Sequence, residues 1–250
     1  MSGDSILLYS SSGPRRHAGQ AVRHAPARPA PMTAPLSLPG TVAYRGGDAL
    51  YLNLTNRCSC ACRFCVREWA EGVFGEDLRL AREPEADEVT GAVEWAFADD
   101  GPAAEVVFCG FGEPTMRLDV VLGVTEWLRL RRIPSRLDTN GHGRLLNPGV
   151  DVPAALAAAG LDAVTVSLDA ADPEAYDEIC RPTFAKAHRA VIQFAEQCVH
   201  NDIETTLTAV DYPGADLPGC EAIARALGAG FRARGLASPR GRACAEREET

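Results

Sequence analysis

Four of the chain's nine cysteines lie within eight residues, in the run Cys58-Ser59-Cys60-Ala61-Cys62-Arg63-Phe64-Cys65. Three of them, Cys58, Cys62 and Cys65, have the spacing CxxxCxxC. A loop this short can fold three thiolates around one soft-metal centre. The residues just before it, 51–55, have the character of a strand. We therefore expect the chain to fold as a scaffold that holds a metal site at the end of a strand.

Length and composition indicate a chain that folds around a sizeable core. Its 250 residues suit a single domain with tails, and hydrophobic residues make up 46% against 24% charged residues. The formal net charge of −9 argues against a general nucleic-acid-binding protein, for which a basic surface is typical. Small molecules or proteins are the expected partners.

Cysteine usage and hydropathy predict where the protein is found. An odd number of cysteines with four at one site is not the pattern of a secreted disulfide framework in a chain this long. No run of about 18 apolar residues is present, so we expect no membrane span. The cysteine pattern favours a reducing compartment, and we expect the protein to be soluble and cytoplasmic.

The composition changes along the chain and divides it into three regions. Residues 1–39 are rich in Ser, Ala, Pro and Arg, with Asp4 as the one acid, and cannot form a packed core. We expect a disordered N-terminal extension rather than a targeting signal, because prolines interrupt any amphipathic helix there. Met32 stays open as an alternative start to Met1. Residues 46–236 are predicted to form the core domain, and residues 237–250 a loose C-terminal tail.

Strand and helix signals alternate through the predicted core domain. The predicted strands are 49–55, 105–109, 135–139, 163–169, 204–210 and 231–236. The predicted helices are 85–99, 118–131, 153–159, 185–199 and 220–227. Repeated βαβ units require parallel strands with helices outside them, and right-handed crossovers curl such a sheet. The sequence therefore predicts an α/β fold, a partial (β/α)6 barrel of parallel strands.

Polar loops follow several of these strands. Gly110-Phe111-Gly112-Glu113-Pro114 follows the second strand, Asn140 follows the third, and Ser167 and Asp169 end the fourth. The carboxyl ends of parallel barrel strands share one face, where barrel enzymes place their active sites. Glycines let the main chain approach a ligand closely, and Glu113 can pair with an ammonium group. We expect these loops to converge with the cysteine loop.

The cysteine spacing, with Phe64 directly before Cys65, resembles that of the radical SAM superfamily. The resemblance implies a [4Fe–4S] cluster held by Cys58, Cys62 and Cys65. Three ligands leave one iron open, and in the superfamily this iron chelates S-adenosylmethionine (SAM). An electron from the cluster then cleaves SAM, and the resulting 5′-deoxyadenosyl radical removes a hydrogen atom from a substrate. The resemblance thus implies an enzyme.

The resemblance also implies which residues hold SAM. The superfamily carries a Gly-Gly-Glu-type turn that binds the methionyl ammonium, and Gly110, Phe111, Gly112 and Glu113 form a variant of it. The remaining implied contacts come from the third and fourth strand ends: Asn140 in a segment like that of glycyl-radical activating enzymes, and Ser167 with Asp169 near the ribose hydroxyls and the carboxylate of SAM.

Several runs resemble the TatD family-associated radical SAM proteins, whose substrate is unassigned: Ser167-Leu168-Asp169-Ala170, Ile179-Cys180-Arg181-Pro182, 207–213 and 231–235. The electron would come from a flavodoxin- or ferredoxin-type donor. Two other enzymes stay open, a glycyl-radical-enzyme activase and an enzyme like 7-carboxy-7-deazaguanine synthase. A non-enzymatic alternative is a structural metal module that uses Cys60 as a fourth ligand.

Four further residues carry weaker expectations. We expect His142, between two glycines, to be a solvated loop histidine, with a role as proton donor as the alternative. Cys180 could face the substrate. Arg232 and Arg234 alternate onto one face of the last strand, and an inward face would need anions such as the carboxylate of SAM or an acidic substrate.

Overall fold

A seven-stranded sheet organises residues 40–236, the part of the chain that the computed structural model describes. Its strands are β1 (Ala43–Gly46), β2 (Ala49–Leu52), β5 (Glu105–Phe108), β6 (Ser135–Thr139), β7 (Ala163–Ser167), β8 (Glu204–Val210) and β9 (Gly230–Arg234), paired in that order. The six strands from β2 onward are parallel, while β1 pairs antiparallel with β2. The predicted set of six parallel strands is confirmed.

Helices connect the parallel strands and cover the outer face of the sheet. They are α1 (Ala86–Asp100), α2 (Leu118–Leu130), α3 (Gly143–Leu146), α4 (Val152–Ala159), α5 (Pro173–Cys180), α6 (Ala187–His200) and α7 (Leu217–Leu227). The helices α4, α5 and α7 each begin after an aspartate whose carboxylate accepts a first-turn amide, with proline in that turn. Within residues 40–236, no helix has both the length and the apolar character needed to cross a membrane.

Three differences between the predicted elements and the structure concern the start of the sheet, the end of the first predicted strand and a missed helix. The sheet starts at Ala43 rather than at residue 46, because the short strand β1 adds an antiparallel edge. The first predicted strand, 49–55, leaves the sheet after Leu52. The helix α5 was missed, since only its one face of Tyr176, Ile179 and Cys180 is buried. The expectations for residues 1–39 and 237–250 lie outside the described residues.

The inner face of the curved sheet is polar, and a cavity of about 1150 Å³ lies against it. Its lining comes mainly from the amino-terminal halves of the strands, so it lies toward the end of the barrel opposite the cysteine loop. Tyr51, Glu105, Arg136, Thr165 and Arg232 are among the residues that line it. The barrel interior therefore offers room for a small molecule.

A short hairpin, β3 (Gly72–Val73) and β4 (Glu76–Asp77), borders this cavity. Its two-residue turn consists of Phe74 and Gly75, both with positive φ (55° and 89°), the backbone twist that suits such a turn. Phe74 lines the cavity and stacks on Tyr51 with ring centroids 6.0 Å apart. Tyr51 in turn stacks on Tyr44 at 5.3 Å. Tyr51 and Phe74 thus form one edge of the cavity, and Tyr44 packs behind them.

Asn53 ties the end of β2 to two other segments. This side chain is fully buried, and its amide nitrogen donates to Thr41 O at 3.1 Å and to Leu78 O at 2.8 Å. Its amide oxygen accepts from Phe111 N at 3.2 Å. One amide therefore satisfies main-chain groups from the residues before β1, from the hairpin region and from the loop after β5.

Replacement of Asn53 by alanine should destabilise the protein strongly. The change leaves Thr41 O, Leu78 O and Phe111 N buried without this partner, so we expect a loss of about 2–4 kcal/mol in the free energy of unfolding. Chemical denaturation measures it. The control is Asn201→Ala, which removes one part-buried bond to Gln197 O and should cost about 1 kcal/mol or less. Equal losses in the two variants would contradict the role given to Asn53.

Candidate active site

The cysteine loop, residues 58–65, lies extended along the C-terminal end of α5 and the residues after it. Three main-chain hydrogen bonds join the two segments: Ala61 N to Cys180 O (3.1 Å), Arg63 N to Ile179 O (2.9 Å) and Thr183 N to Ser59 O (2.9 Å). Cys60 and Pro182 form an antiparallel bridge between them. The loop is therefore positioned by a segment more than 100 residues away in sequence.

The four thiols of the loop differ in exposure. Cys58, Cys62 and Cys65 are half-buried, whereas Cys60 is 6% exposed. The Cys60 thiol is hydrogen-bonded to the thiols of both Cys58 and Cys62. The three cysteines of the CxxxCxxC spacing are thus accessible from outside the loop, and Cys60 lies beneath them.

The surroundings of the loop favour the thiolate form of two cysteines. A hydrogen bond with Cys60 lowers the pKa of Cys58, and hydrogen bonds with Cys180 and Cys60 lower the pKa of Cys62. The same contacts raise the pKa of Cys60 and of Cys180, so these two stay thiols. Cys180 is buried against Cys62. Because the thiolate is the metal-binding form, Cys58 and Cys62 suit ligands better than Cys60 does.

The thiols of this loop have the chemistry of iron–sulfur cluster ligands. Thiolates of a cluster bind different iron atoms and need not converge on one point. Cys65 completes the set, with Arg67 Nε 3.4 Å from its sulfur.

The glycines of the loop after β5 allow it to pack directly on the start of the cysteine loop. A Cβ atom on Gly112 would lie 2.3 Å from Arg57 O, and one on Gly110 would lie 2.2 Å from Asn53 Oδ1. Both distances are far below contact distance. The two loops can approach this closely only because these positions have no side chain.

Glu113 joins the loops that follow β5 and β6. It is 2% exposed, and its carboxylate accepts from Thr115 N (3.1 Å), Thr115 Oγ1 (2.7 Å), Thr139 Oγ1 (2.7 Å) and Asn140 N (2.8 Å). Burial raises the pKa of Glu113, and these donors oppose that effect. The pairing of Glu113 with an ammonium group stays a prediction, and the structure gives this carboxylate four protein donors.

Phe111 turns its side chain away from the loops. The ring is 5% exposed and packs with Tyr44 and Leu78 in a small hydrophobic cluster. Any contact of Phe111 with a ligand would therefore come from its main chain. Like those of Gly110 and Gly112, its predicted role in binding SAM remains a prediction.

Asn140 connects the third strand end to the cysteine loop, as the convergence of the loops predicts. Its amide nitrogen lies 2.9 Å from Ser59 Oγ and 3.7 Å from the sulfur atoms of both Cys58 and Cys60. Its oxygen accepts from His142 N at 3.0 Å. The amide is therefore within reach of a predicted cluster ligand.

Ser167, Asp169 and Arg234 meet on the inner face of the barrel. Arg234 Nη2 lies 3.1 Å from Ser167 Oγ and 3.2 Å from Asp169 Oδ1, which also accepts from Val210 N at 3.0 Å. Burial raises the pKa of Asp169 to about 6, against the opposing effect of Arg234. Arg234 thus faces inward, the orientation for which we expected an anionic partner. Within the described residues that anion is Asp169.

Two polar groups near this cluster are buried without a hydrogen-bond partner among the described residues. They are Arg234 Nε and Thr208 Oγ1. Thr208 lies next to Ser167 in the register of β7 and β8. Buried polar groups are rarely left unpaired in native proteins, so this pair points to a ligand.

The expectation for His142 was wrong. The residue is fully buried, with Nδ1 2.9 Å from Ser59 Oγ and Nε2 2.9 Å from Tyr176 OH. Burial lowers the pKa of His142 to about 4, so the ring is neutral at pH 7. Its neighbours Gly141 and Gly143 suggested an exposed loop, while its partners lie 83 and 34 residues away. No local signal in the sequence could have found this network.

Comparison with known proteins gives the family of the chain. A profile described as the Radical SAM superfamily matches residues 52–227. The chain belongs to the radical SAM superfamily. The GTP 3′,8-cyclase of Streptomyces coelicolor is 34% identical over 136 residues, and GTP 3′,8-cyclase 2 of Mycobacterium bovis is 37% identical over 140 residues. These alignments cover 53% and 55% of this chain and 36% and 35% of the relatives.

A solved structure shows the same fold. SuiB of Streptococcus suis, bound to S-adenosylmethionine, aligns with a TM-score of 0.59 at 16% identity, over 76% of this chain and 41% of that one. The chain spans about a third of the length of the curated relatives it matches. As a radical SAM protein it is an enzyme that uses a [4Fe–4S] cluster and SAM. The comparisons support the superfamily and not the TatD-associated group.

Cys60 and Cys62 should differ sharply in their effect on the radical SAM cluster. After anaerobic reconstitution, we expect Cys62→Ala to lose the cluster and Cys60→Ala to retain about four iron atoms per chain. The reason is that Cys62 is accessible with a lowered pKa, whereas Cys60 is a buried thiol. Iron and sulfide analysis with visible absorbance measures this. An equal loss in both variants would favour a four-thiolate site.

Gly112→Ala should lower the stability of the protein and its affinity for SAM, whereas Gly123→Ala should lower neither. The added methyl group at residue 112 meets the Arg57 carbonyl at 2.3 Å, so we expect a loss of about 1–3 kcal/mol and weaker SAM binding. At Gly123, inside α2, the nearest atom is Ala86 Cβ at 4.0 Å, and the change should stabilise the helix by up to about 1 kcal/mol. Thermal unfolding and calorimetric titration with SAM measure both. Unchanged SAM affinity in Gly112→Ala would contradict the close packing.

Proposed function

We propose that this enzyme reductively cleaves SAM and uses the 5′-deoxyadenosyl radical on a small anionic molecule, most plainly a purine nucleotide, inside the barrel. When bound, the cluster supplies the electron that splits SAM into methionine and the radical. The chain's own residues hold the cluster by three thiols, hold the loops around SAM and provide the chamber below. The cavity of about 1150 Å³ carries this proposal.

The position of the cavity supports a substrate beneath SAM. The cysteine loop and the loops around Glu113 and Asn140 lie at the carboxyl ends of the strands, and the cavity lies against the amino-terminal halves of the same strands. Small-molecule sites commonly have volumes of about 300–1000 Å³, so this chamber holds a ligand of nucleotide size. A radical made at one end would meet a substrate that extends toward the other.

The polarity of the inner wall supports an anionic substrate. Arg234 Nε and Thr208 Oγ1 are buried donors that have no acceptor among the described residues. Arginine pairs well with phosphate or carboxylate oxygens. Arg136 is engaged by two carboxylates, Glu105 at 2.9 Å and Asp138, whereas Arg234 pairs with the single carboxylate of Asp169 through Nη2. The two donors without a partner, Thr208 Oγ1 and Arg234 Nε, thus lie on β8 and β9.

Two observations support a purine nucleotide within this class. The relatives at 34% and 37% identity carry the name GTP 3′,8-cyclase. In this chain, Tyr51 and Phe74 present aromatic rings to the cavity, and Arg232 lines it as well. Aromatic faces stack on bases, and arginine binds phosphate. The proposal concerns the substrate class and extends neither to the whole cyclase reaction nor to the TatD-associated resemblance.

The proposed class favours one of the two earlier enzyme alternatives. An enzyme like 7-carboxy-7-deazaguanine synthase also acts on a small molecule, whereas a glycyl-radical activase must admit a protein segment. The hairpin and its aromatic rings occupy the side of the barrel next to β1 and β2. That placement supports a small substrate. A flavodoxin- or ferredoxin-type protein remains the proposed electron donor.

Product analysis tests this proposal. The reconstituted enzyme, reduced with dithionite and supplied with SAM, should form 5′-deoxyadenosine faster with GTP or another purine nucleotide than without. Arg234→Met should raise the KM for the nucleotide about tenfold. This factor corresponds to the loss of one charge-assisted hydrogen bond of about 1.4 kcal/mol. The control is Arg225→Met, because Arg225 makes an exposed pair with Glu221 on α7.

The outcomes separate the parts of the proposal. Formation of 5′-deoxyadenosine that no nucleotide stimulates would reject the substrate class and keep SAM cleavage. An intact cluster that forms no 5′-deoxyadenosine under any of these conditions would reject both. Equal effects of Arg234→Met and Arg225→Met would remove the donors on β9 from the substrate site.

A further inference from the structure

We propose that His142 is a positioning residue, which holds the cysteine loop through Ser59 so that Cys58 and Cys62 are presented to the cluster. This inference deepens the proposed function, since it concerns the same site. It names a residue that neither touches the substrate nor binds iron. Its action would pass through a hydrogen-bonded chain from Asn140 to Tyr176.

The chain of hydrogen bonds is continuous and buried. Asn140 Nδ2 lies 2.9 Å from Ser59 Oγ, Ser59 Oγ lies 2.9 Å from His142 Nδ1, and His142 Nε2 lies 2.9 Å from Tyr176 OH. Ser59, His142 and Tyr176 are each at most 1% exposed. Three segments of the fold, the cysteine loop, the loop between β6 and α3, and the helix α5, are thus joined through one imidazole.

The donors and acceptors in this chain can all be satisfied at once. Ser59 Oγ accepts the amide hydrogen of Asn140, and since a hydroxyl can both donate and accept, Ser59 and Tyr176 can pair with either tautomer of the neutral ring. In either tautomer one hydroxyl donates to a ring nitrogen and the other accepts from the second ring nitrogen. Cys60 Sγ lies nearby, 3.9 Å from His142 Nδ1 and 4.0 Å from Tyr176 OH.

Ser59 is held on two sides, and its position affects that of the neighbouring cluster ligand. Its carbonyl accepts from Thr183 N at 2.9 Å and from Thr183 Oγ1 at 3.2 Å, while its hydroxyl is bound to His142. Cys58 is its direct neighbour, and adjacent Cα atoms are fixed about 3.8 Å apart. A shift of the Ser59 main chain would therefore carry Cys58 with it.

Ring contacts fix the imidazole itself. His142 meets the ring of Phe184 edge-on, with centroids 6.0 Å apart, and meets Tyr176 at 6.3 Å. Both nitrogens are consequently aimed at their partners by packing. An apolar side chain of similar size would keep this packing but would leave Ser59 and Tyr176 buried without their partner. Relief of that defect requires a rotation of Ser59, which is the movement that His142 prevents.

The stereochemistry of amide side chains gives a sharp test. In His142→Asn the amide lies near the former Nδ1 and can still bind Ser59. In His142→Gln it reaches toward the former Nε2 and binds Tyr176 instead. His142→Leu binds neither. The control, His188→Leu, removes another buried histidine, whose Nε2 binds Ala170 O and whose ring packs 5.5 Å from that of Tyr176. It changes the packing of Tyr176 without removing a hydrogen bond to the cysteine loop.

The readouts are the electron paramagnetic resonance spectrum of the reduced cluster, with and without SAM, and the Kd for SAM. We expect His142→Asn to keep the wild-type spectrum and a Kd within about threefold of wild type. His142→Leu and His142→Gln should give a broadened spectrum and a Kd raised about tenfold. His188→Leu should lower the melting temperature and leave the spectrum and the Kd unchanged.

Two results would overturn the inference. One is a folded His142→Leu protein with the wild-type spectrum and SAM affinity. The other is a His142→Asn protein as impaired as His142→Leu at equal melting temperature. Should His142→Leu take up no cluster, the comparison of His142→Asn with His142→Gln decides in the same way. Because these readouts need no substrate, a failure of nucleotide-stimulated cleavage leaves them interpretable.

Discussion

The site depends first on the main-chain pairing between the cysteine loop and residues 179–183. A loop crowded with cysteines has no regular structure of its own, and its amides and carbonyls need partners once they are buried. Ala61 and Ser59 find these partners beyond the end of α5. Because main-chain groups make these bonds, the thiols of Cys58 and Cys62 remain available to iron. The pairing also explains how a distant helix belongs to the site although it carries none of the predicted ligands.

A second layer of contacts turns separate strand ends into one site. Glu113 binds the loops after β5 and β6 together, and Asn140 carries the connection to the cysteine loop. Each of these side chains is bound by groups from more than one loop. A change in one loop therefore alters the positions of the others, as expected for a site that must hold a cofactor in a single orientation.

The sequence predicted the parallel sheet and the converging loops well, because strand periodicity and helix caps are local properties. The helix α5 was not predicted, although Asp172-Pro173 is a good helix start, because the apolar face of this helix is narrow. His142 was placed wrongly because its surroundings come from Ser59 and Tyr176, far away in the chain. Alternation along a strand correctly assigned Arg232 and Arg234 to one face, but it did not determine whether that face points inward. Local chemistry was thus predictable, and long-range polar networks were not.

The strand that carries Arg234 is also the last strand of the sheet, and among the described residues β9 pairs with β8 alone. An unpaired strand edge is a template for association with another chain, and charged side chains that point inward are one way in which proteins discourage it. Arg234 points inward beside Ser167 and Asp169. The same side chain would then both discourage pairing of this edge with another chain and contribute to the barrel interior. A substitution of Arg234 chosen to alter ligand binding would therefore also change how readily the protein self-associates.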